Sequence, residues 1–202
     1  MMMSKESEIN ELRQRVNSCQ KCDLYKTRHQ PVIGDGSYDA SILFIGEAPG
    51  FHEDKKGLPF VGRAGKILDE LLLSIGLNRS DVFIANILKC RPPNNRNPKK
   101  DEIVACTEYL DRQIEIIQPS ILVPLGNFAC SYIFEKFGVT YDKISRIHGE
   151  IFQKNTLLGS LFIIPMYHPA VATYNPQKKS TLLKDMQTIQ NLTNKRLVEK
   201  PS

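Results

Sequence analysis

The sequence predicts an α/β fold built on a parallel sheet. Three observations carry this prediction. Apolar runs of strand length recur, apolar stripes at helical spacing lie between them, and glycine or proline marks the junctions. The chain has 202 residues, 41% hydrophobic and 24% charged. That is ordinary globular usage, with enough chain to bury a core without disulfides.

Ser4 to Val16 reads as a short helix leading to Cys19, and residues 23–40 as irregular, broken by Pro31, Gly34, Asp35 and Gly36. Ser41-Ile42-Leu43-Phe44-Ile45-Gly46 is the first buried strand. It stops at Gly46-Glu47-Ala48-Pro49-Gly50, and a long loop is expected through about Gly62. Ile67, Leu68, Leu71, Leu72 and Ile75 form a helical stripe ended by Gly76. Val82 to Leu88 is a second strand, followed by a loop from Cys90 whose prolines forbid regular structure. Asn97 suits an N-cap with Pro98 at the first helical position, and Ile103, Val104, Leu110, Ile114 and Ile117 are expected to face inward. Ile121 to Leu125 is a third strand and Phe128 to Phe137 a further core helix. A strand near Ile151, a strand over Leu161 to Pro165, a turn at His168-Pro169 and a helix from about Lys179 complete the order.

In parallel sheets, ligands bind beyond the carboxyl ends of the strands. Gly46–Gly50, Asn86–Pro93 and Tyr167–Ala170 all fall there. No apolar stretch is long enough to span a membrane, and Met1 to Arg15 has no signal core. The expected location is a reducing cytoplasm, where cysteines serve as ligands, catalytic groups or core residues rather than in disulfides. Lys and Arg exceed Asp and Glu by 27 to 22, a modest basic excess that permits a polyanionic partner.

Cys19 and Cys22 form C-x2-C in a polar setting of Ser18, Gln20, Lys21 and Asp23. With Cys90 and Cys106 they can converge on one four-thiolate site. Zinc or an iron–sulfur cluster could occupy it, and the presence of only one tight pair tilts the choice slightly toward the cluster. Cys130, on an apolar helix face with Phe134, reads as a small buried hydrophobe. Gly57-Leu58-Pro59-Phe60-Val61-Gly62 has phosphate-loop spacing, but Arg63-Ala64 replaces the required Lys-Ser/Thr pair, so nucleotide hydrolysis is rejected. Glu47 offers a carboxylate at a strand end, and His168 sits between a buried strand and a proline. Alone, Glu47 also reads as a helix cap or salt-bridge partner and His168 as a satisfied core histidine; across one sheet edge they look like a pair of polar site groups.

These residues resemble the family 4 uracil-DNA glycosylases, the iron–sulfur branch of their superfamily, over about residues 15–195. The resemblance rests on Cys19-x2-Cys22, Gly46-Glu47-Ala48-Pro49-Gly50, Pro59-Phe60-Val61-Gly62-Arg63-Ala64-Gly65, Asn86 with Lys89-Cys90-Arg91-Pro92-Pro93, Cys106, and His168-Pro169-Ala170. Their joint order and spacing are specific. The resemblance implies a three-layer α/β/α fold with a central, mostly parallel four-stranded sheet. It implies an N-terminal helix and extension over 1–18, a single glycosylase domain over 19–195 and a tail over 196–202. The partner implied is uracil-containing DNA, single- or double-stranded, bound by a monomer.

The implied reaction hydrolyses the N-glycosidic bond of a flipped deoxyuridine, leaving an abasic site. Phe60 would stack on uracil, and Gly46, Ala48 and Glu53 would line its pocket, Glu53 crowding the C5 position. Asn86 would read O4 and N3–H, since a carboxamide carries both acceptor and donor. His168 would stabilise charge developing at O2, and Glu47 would position water or stabilise the sugar cation. A better-known branch has an aspartate where this chain has Ala48. A 4Fe–4S cluster would be held by Cys19, Cys22, Cys90 and Cys106. Arg91, Arg96, Lys99, Lys100 and Lys178 are candidate phosphate contacts. Where the family commonly carries a Leu-Arg wedge, this chain has Val171-Ala172-Thr173-Tyr174-Asn175, and Tyr174 is the side chain available to stack there. His148 is read as structural or phosphate-contacting. No lysine is an obvious Schiff-base nucleophile, so no strand cleavage is expected. The rival from another class is a noncatalytic DNA-binding or polymerase-accessory module on the same fold; Glu47 and His168 speak against it.

Overall fold

A computed structural model describes residues 4–157 and 159–198. Helix α1 (Lys5–Asn17) starts at Ser4, whose hydroxyl accepts from the Ser7 N–H. Strands β1 (Asp35–Gly36) and β2 (Ile42–Gly46) are followed by helices α2 (Phe51–Lys56) and α3 (Arg63–Ser74), then β3 (Phe83–Asn86) and α4 (Lys100–Ile117). Next come β4 (Ile121–Pro124), α5 (Asn127–Lys136), α6 (Ile144–Ile147), and the hairpin β5 (Phe152–Thr156) and β6 (Gly159–Ile163). Short α7 (Val171–Tyr174) and long α8 (Gln177–Val198) end the described chain. Met1–Met3, and Glu199–Ser202 of the expected tail, lie outside the described residues.

Among the described residues the sheet has six strands in the order β1-β3-β2-β4-β6-β5. Its middle, β3-β2-β4-β6, is the expected set of four parallel strands. The four-strand count is corrected by one antiparallel strand at each edge, β1 on β3 and β5 on β6. β1 is two residues long, too short for a periodic signal.

Alternation along the strands builds two cores. Leu43, Ile45, Phe83, Ala85 and Leu122 pack with Leu110 and Ile117 of α4 and Ile133 and Phe134 of α5. Ile42, Phe44, Ile84, Ile121 and Val123 face the other way, onto Leu68, Leu71 and Leu72 of α3 and Leu182, Met186 and Ile189 of α8. Helices therefore cover both faces, as a parallel sheet requires. A third cluster joins Ile9, Leu12 and Val16 of α1 to Cys90, Cys106 and Tyr109.

Three expectations are corrected. The loop after Gly50 contains α2, which ends where Gly57 takes a left-handed φ of 69°. Val104 faces solvent at 71% exposure. Finally, α4 starts two residues later than expected, with Lys99 rather than Asn97 as its N-cap. The Glu102 carboxylate accepts the Lys99 N–H at 2.8 Å and is clamped by Arg96 at 2.5 and 2.9 Å, so a side chain inside the first turn satisfies the helix end.

Candidate active site

A pocket of about 480 Å³ opens at the carboxyl edge of the parallel strands. Its walls include Glu47 and Ala48 after β2, Glu53 on α2, Phe60, Asn86 at the end of β3, Arg96, His168 and Tyr174. Such a volume suits one planar ligand with room for its attached chain. Gly46 pairs with Asn86 across the sheet, and a β-carbon there would collide with the Asn86 carboxamide and the Phe60 ring. The glycine is therefore what lets those two groups meet. Asn86 is buried, and among the described residues nothing hydrogen-bonds its carboxamide.

Phe60 has a left-handed φ of 52°, costly for an aromatic residue. The neighbourhood enforces it. Arg79 donates to the Pro59 carbonyl at 3.0 Å and to the Phe60 carbonyl, while ion-pairing with Asp69 at 2.6 Å. Glu53 accepts from the Val61 and Gly62 N–H groups at 2.9 and 2.8 Å. The Phe60 ring lies at 24° to the His168 ring, centroids 5.4 Å apart.

His168 keeps some surface facing the pocket, but the protein around it is dense. Desolvation lowers its pKa to about 4, with Glu53 opposing, so the ring is neutral at pH 7. The Ala170 N–H donates to Nδ1 at 3.2 Å, which puts the ring proton on Nε2. The site thus holds a neutral imidazole donor. Burial raises the pKa of Glu47, the carboxylate at the end of β2.

Of the remaining candidates, Arg96 and Tyr174 line the pocket, and Arg91, Lys99, Lys100 and Lys178 do not. Tyr174 is 79% exposed. Lys99 and Lys100 are exposed at the start of α4. Arg91 bonds Asn95 at 2.7 Å and lies over Phe51, Arg96 is engaged by Glu102, and the Lys178 ammonium lies 4.3 Å from the Tyr167 ring centre. His148 is absent from the pocket wall; its Nδ1 is 3.0 Å from both oxygens of buried Asp185, tying α6 to α8.

Cys19, Cys22, Cys90 and Cys106 line one narrow pocket walled by Val16, Leu24 and Tyr109. Among the described residues no group of His, Cys, Asp or Glu side chains is gathered to hold a single metal ion. A group with several metal atoms takes one thiolate on each, so its sulfurs need not meet at one point. The donor set fits such a group. Arg28 reaches the Cys90 sulfur at 3.1 Å and the Lys89 N–H the Cys106 sulfur at 3.2 Å. Burial raises the thiols of Cys22 and Cys90 and pushes Cys106 up to about 12, a cost that metal ligation would reverse. Cys130 is fully buried and touches the Pro124 carbonyl, as its reading required.

Sequence reasoning missed Arg79, Lys89 and Gln113. Lys89 is 1% exposed, and its ammonium donates to the Asn86 carbonyl at 2.9 Å and to Gln113 at 2.6 Å. Its signals were its place directly after an apolar run and within the run Lys89-Cys90-Arg91-Pro92-Pro93, neither of which gave it a role.

Fold and pocket together define a three-layer α/β protein with a pocket lined by polar and aromatic side chains at the carboxyl edge of its sheet. The family model for the uracil DNA glycosylase superfamily matches residues 33–189. The type-4 uracil-DNA glycosylase of Sulfurisphaera tokodaii is 46% identical over 185 residues, covering 91% of this chain and 84% of the relative. That of Archaeoglobus fulgidus is 45% identical over 188 residues (93% and 94%), and that of Saccharolobus solfataricus 48% over 175 (86% and 81%). The chain belongs to the uracil-DNA glycosylase superfamily, within its type-4 family.

Proposed function

We propose that this protein is a monofunctional uracil-DNA glycosylase of base-excision repair. It hydrolyses the N-glycosidic bond of extruded deoxyuridine and leaves an abasic site. The observation that carries the reading is the meeting of Glu47, Phe60, Asn86 and His168 in one pocket of a type-4 family member.

An enzyme that acts on a base must take it out of the stack. Phe60 stacks on the extruded ring, held in its strained backbone by Arg79 and Glu53. Asn86 bonds O4 and N3–H with its free carboxamide. Cytosine presents the opposite pattern there and would leave buried groups unpaired. Glu53, Gly46 and Ala48 bound the ring, and Glu53 stands against a C5 methyl. As the N1–C1′ bond breaks, its electron pair goes onto the base. The Nε2–H of His168 donates to O2, where that charge develops. Glu47 holds the water whose oxygen bonds C1′ and accepts the proton that water releases, or it stabilises the sugar cation while that proton goes to solvent; Ala48, the next residue, adds no carboxylate to the task. The base leaves as an anion and takes its proton from solvent.

Lys99, Lys100, Arg91, Arg96 and Lys178 face phosphates of single- or double-stranded DNA, and Tyr174 fills the vacated stack. The protein acts as a monomer in a reducing cytoplasm. Cys19, Cys22, Cys90 and Cys106 hold a 4Fe–4S cluster, which supplies a structural clamp and no redox chemistry to the hydrolysis.

Uracil release from single- and double-stranded oligonucleotides, by wild type beside Glu47→Ala and His168→Ala, tests this. Release by wild type, with large losses in both variants and no nick without alkali, is expected. Failure of wild type at high enzyme concentration would overturn it.

A further inference from the structure

Lys89 is a buried lysine, and among the described residues no carboxylate lies within ion-pair distance of its ammonium. Its ammonium donates to two neutral oxygens, the Asn86 carbonyl at 2.9 Å and Gln113 Oε1 at 2.6 Å. Desolvating an ammonium for neutral acceptors is unfavourable, so the arrangement needs a reason. The surrounding hydrogen bonds supply one. The N–H groups of Ile87 and Leu88 donate to the Gly46 and Glu47 carbonyls, both at 3.0 Å, stitching the chain beyond β3 to the end of β2. The Lys89 carbonyl accepts from the Val32 N–H at 2.7 Å, and the Lys89 N–H donates to the Cys106 sulfur at 3.2 Å. Gln113 is itself fixed by donating to the Ile33 carbonyl at 2.7 Å. Cys106 and Gln113 both stand on α4, so one helix grips Lys89 at backbone and side chain together.

We propose that Lys89 is a positioning residue that sets the Asn86 carboxamide against uracil and makes that setting depend on how the cysteine site holds α4. This rests on the reading of Asn86 as the uracil-reading group. Lys89 is a strut: from α4 it reaches three residues back along the chain and caps the carbonyl of Asn86. Methionine has a similar stem and no donor. With it, the Asn86 carbonyl and the Gln113 amide lose a shared buried partner, and the turn can rotate. His168 follows a different strand, so its donor stays in place. The defect therefore falls on recognition of the base before it falls on the chemical step.

The test uses metal-loaded wild type, Lys89→Met, Gln113→Glu and Gln113→Leu. The readouts are inhibition by free uracil, KM and kcat on a uracil oligonucleotide, affinity for an abasic-site oligonucleotide, and visible absorbance per chain. Lys89→Met is expected to weaken free uracil about tenfold and to raise KM more than it lowers kcat. Affinity for abasic DNA and absorbance should stay within twofold. Gln113→Glu keeps an acceptor for the ammonium but loses the bond to the Ile33 carbonyl, so it should retain more uracil affinity than Gln113→Leu, which loses both. Chelation below the melting transition should weaken uracil binding in wild type and add little in Lys89→Met.

Folded Lys89→Met with wild-type uracil inhibition would overturn the proposal, and so would equal losses for uracil and abasic DNA. A chelation effect as large in Lys89→Met as in wild type would remove the link to the cysteine site. If Lys89→Met does not fold, Gln113→Leu decides, and unchanged uracil inhibition there is the contrary result. Wild type that neither releases nor binds uracil would instead sink the reading on which the proposal stands.

Discussion

On the proposed reading His168 acts as a neutral donor, and two local facts agree with it. Dense protein disfavours the imidazolium, and the Ala170 N–H occupies Nδ1, leaving the proton on Nε2. Removing one such donor from developing negative charge costs about 2–4 kcal/mol in other enzymes, so His168→Ala should slow single-turnover excision by two to three orders of magnitude while DNA affinity changes little. The same burial has a consequence for folding. The folded pKa lies below the ordinary 6.5, so between pH 6.5 and about 4 the unfolded chain binds the proton and the folded chain does not. Stability is then undiminished above pH 6.5 and falls as pH drops through that window, by up to about 3 kcal/mol. Denaturant titrations at pH 7 and pH 4.5 should show this loss in wild type and a smaller one in His168→Gln. Glu47, Asn86 and His168 could be read from the sequence because each ends an apolar run at a sheet edge. Lys89 could not, since a lysine after such a run looks the same whether it turns outward to water or inward to Gln113.

At the scale of elements, the loop between α2 and α3 holds an aromatic residue in a strained backbone. Phe60 is held at positive φ by three contributions from different places: Arg79 after α3, Glu53 on α2, and Gly65 in the first turn of α3. A β-carbon on Gly65 would collide with the Phe60 carbonyl. Gly65→Ala should therefore push Phe60 out of place despite alanine's better helix propensity. The expected readouts are a urea midpoint lowered by about 1–3 kcal/mol of stability and weakened inhibition by free uracil; a stabilised variant with normal uracil inhibition would contradict the packing argument. The sequence announced the glycines here but not their reason. It also concealed α2, because six residues between Gly50 and Gly57 are too few to show a helical period. The longer elements were legible for the opposite reason: α3 and the four parallel strands each bury enough apolar positions for the pattern to be plain. The start of α4 was misplaced because its cap is an Arg96–Glu102 pair, a contact between side chains that local sequence preference does not reveal.

Across the whole molecule, the four cysteines bring the N-terminal segment, which the two main cores leave outside, against β3 and α4, which belong to them. Cys19 and Cys22 follow α1, Cys90 follows β3, and Cys106 sits on α4, so a metal group bound there would tie the chain's beginning to its middle. α1 itself buries only Ile9, Leu12 and Val16, a small apolar contribution for a helix of 13 residues. Without metal that tie is lost, and the free energy of metal binding no longer contributes to folding. Ligand binding to the folded state alone raises stability by mass action, so stripping the metal should lower the melting temperature, with visible absorbance lost in parallel. The loss should be uneven. Amide exchange is expected to speed up first in α1, in residues 18–33 and in the first turns of α4, while β2, β4 and α8 stay protected by the two sheet cores. Cys130→Ala, outside the site, should leave the absorbance intact. Uniform exchange throughout the chain after chelation, or unchanged protection of α1, would show that the cysteine site does not anchor the N-terminal helix.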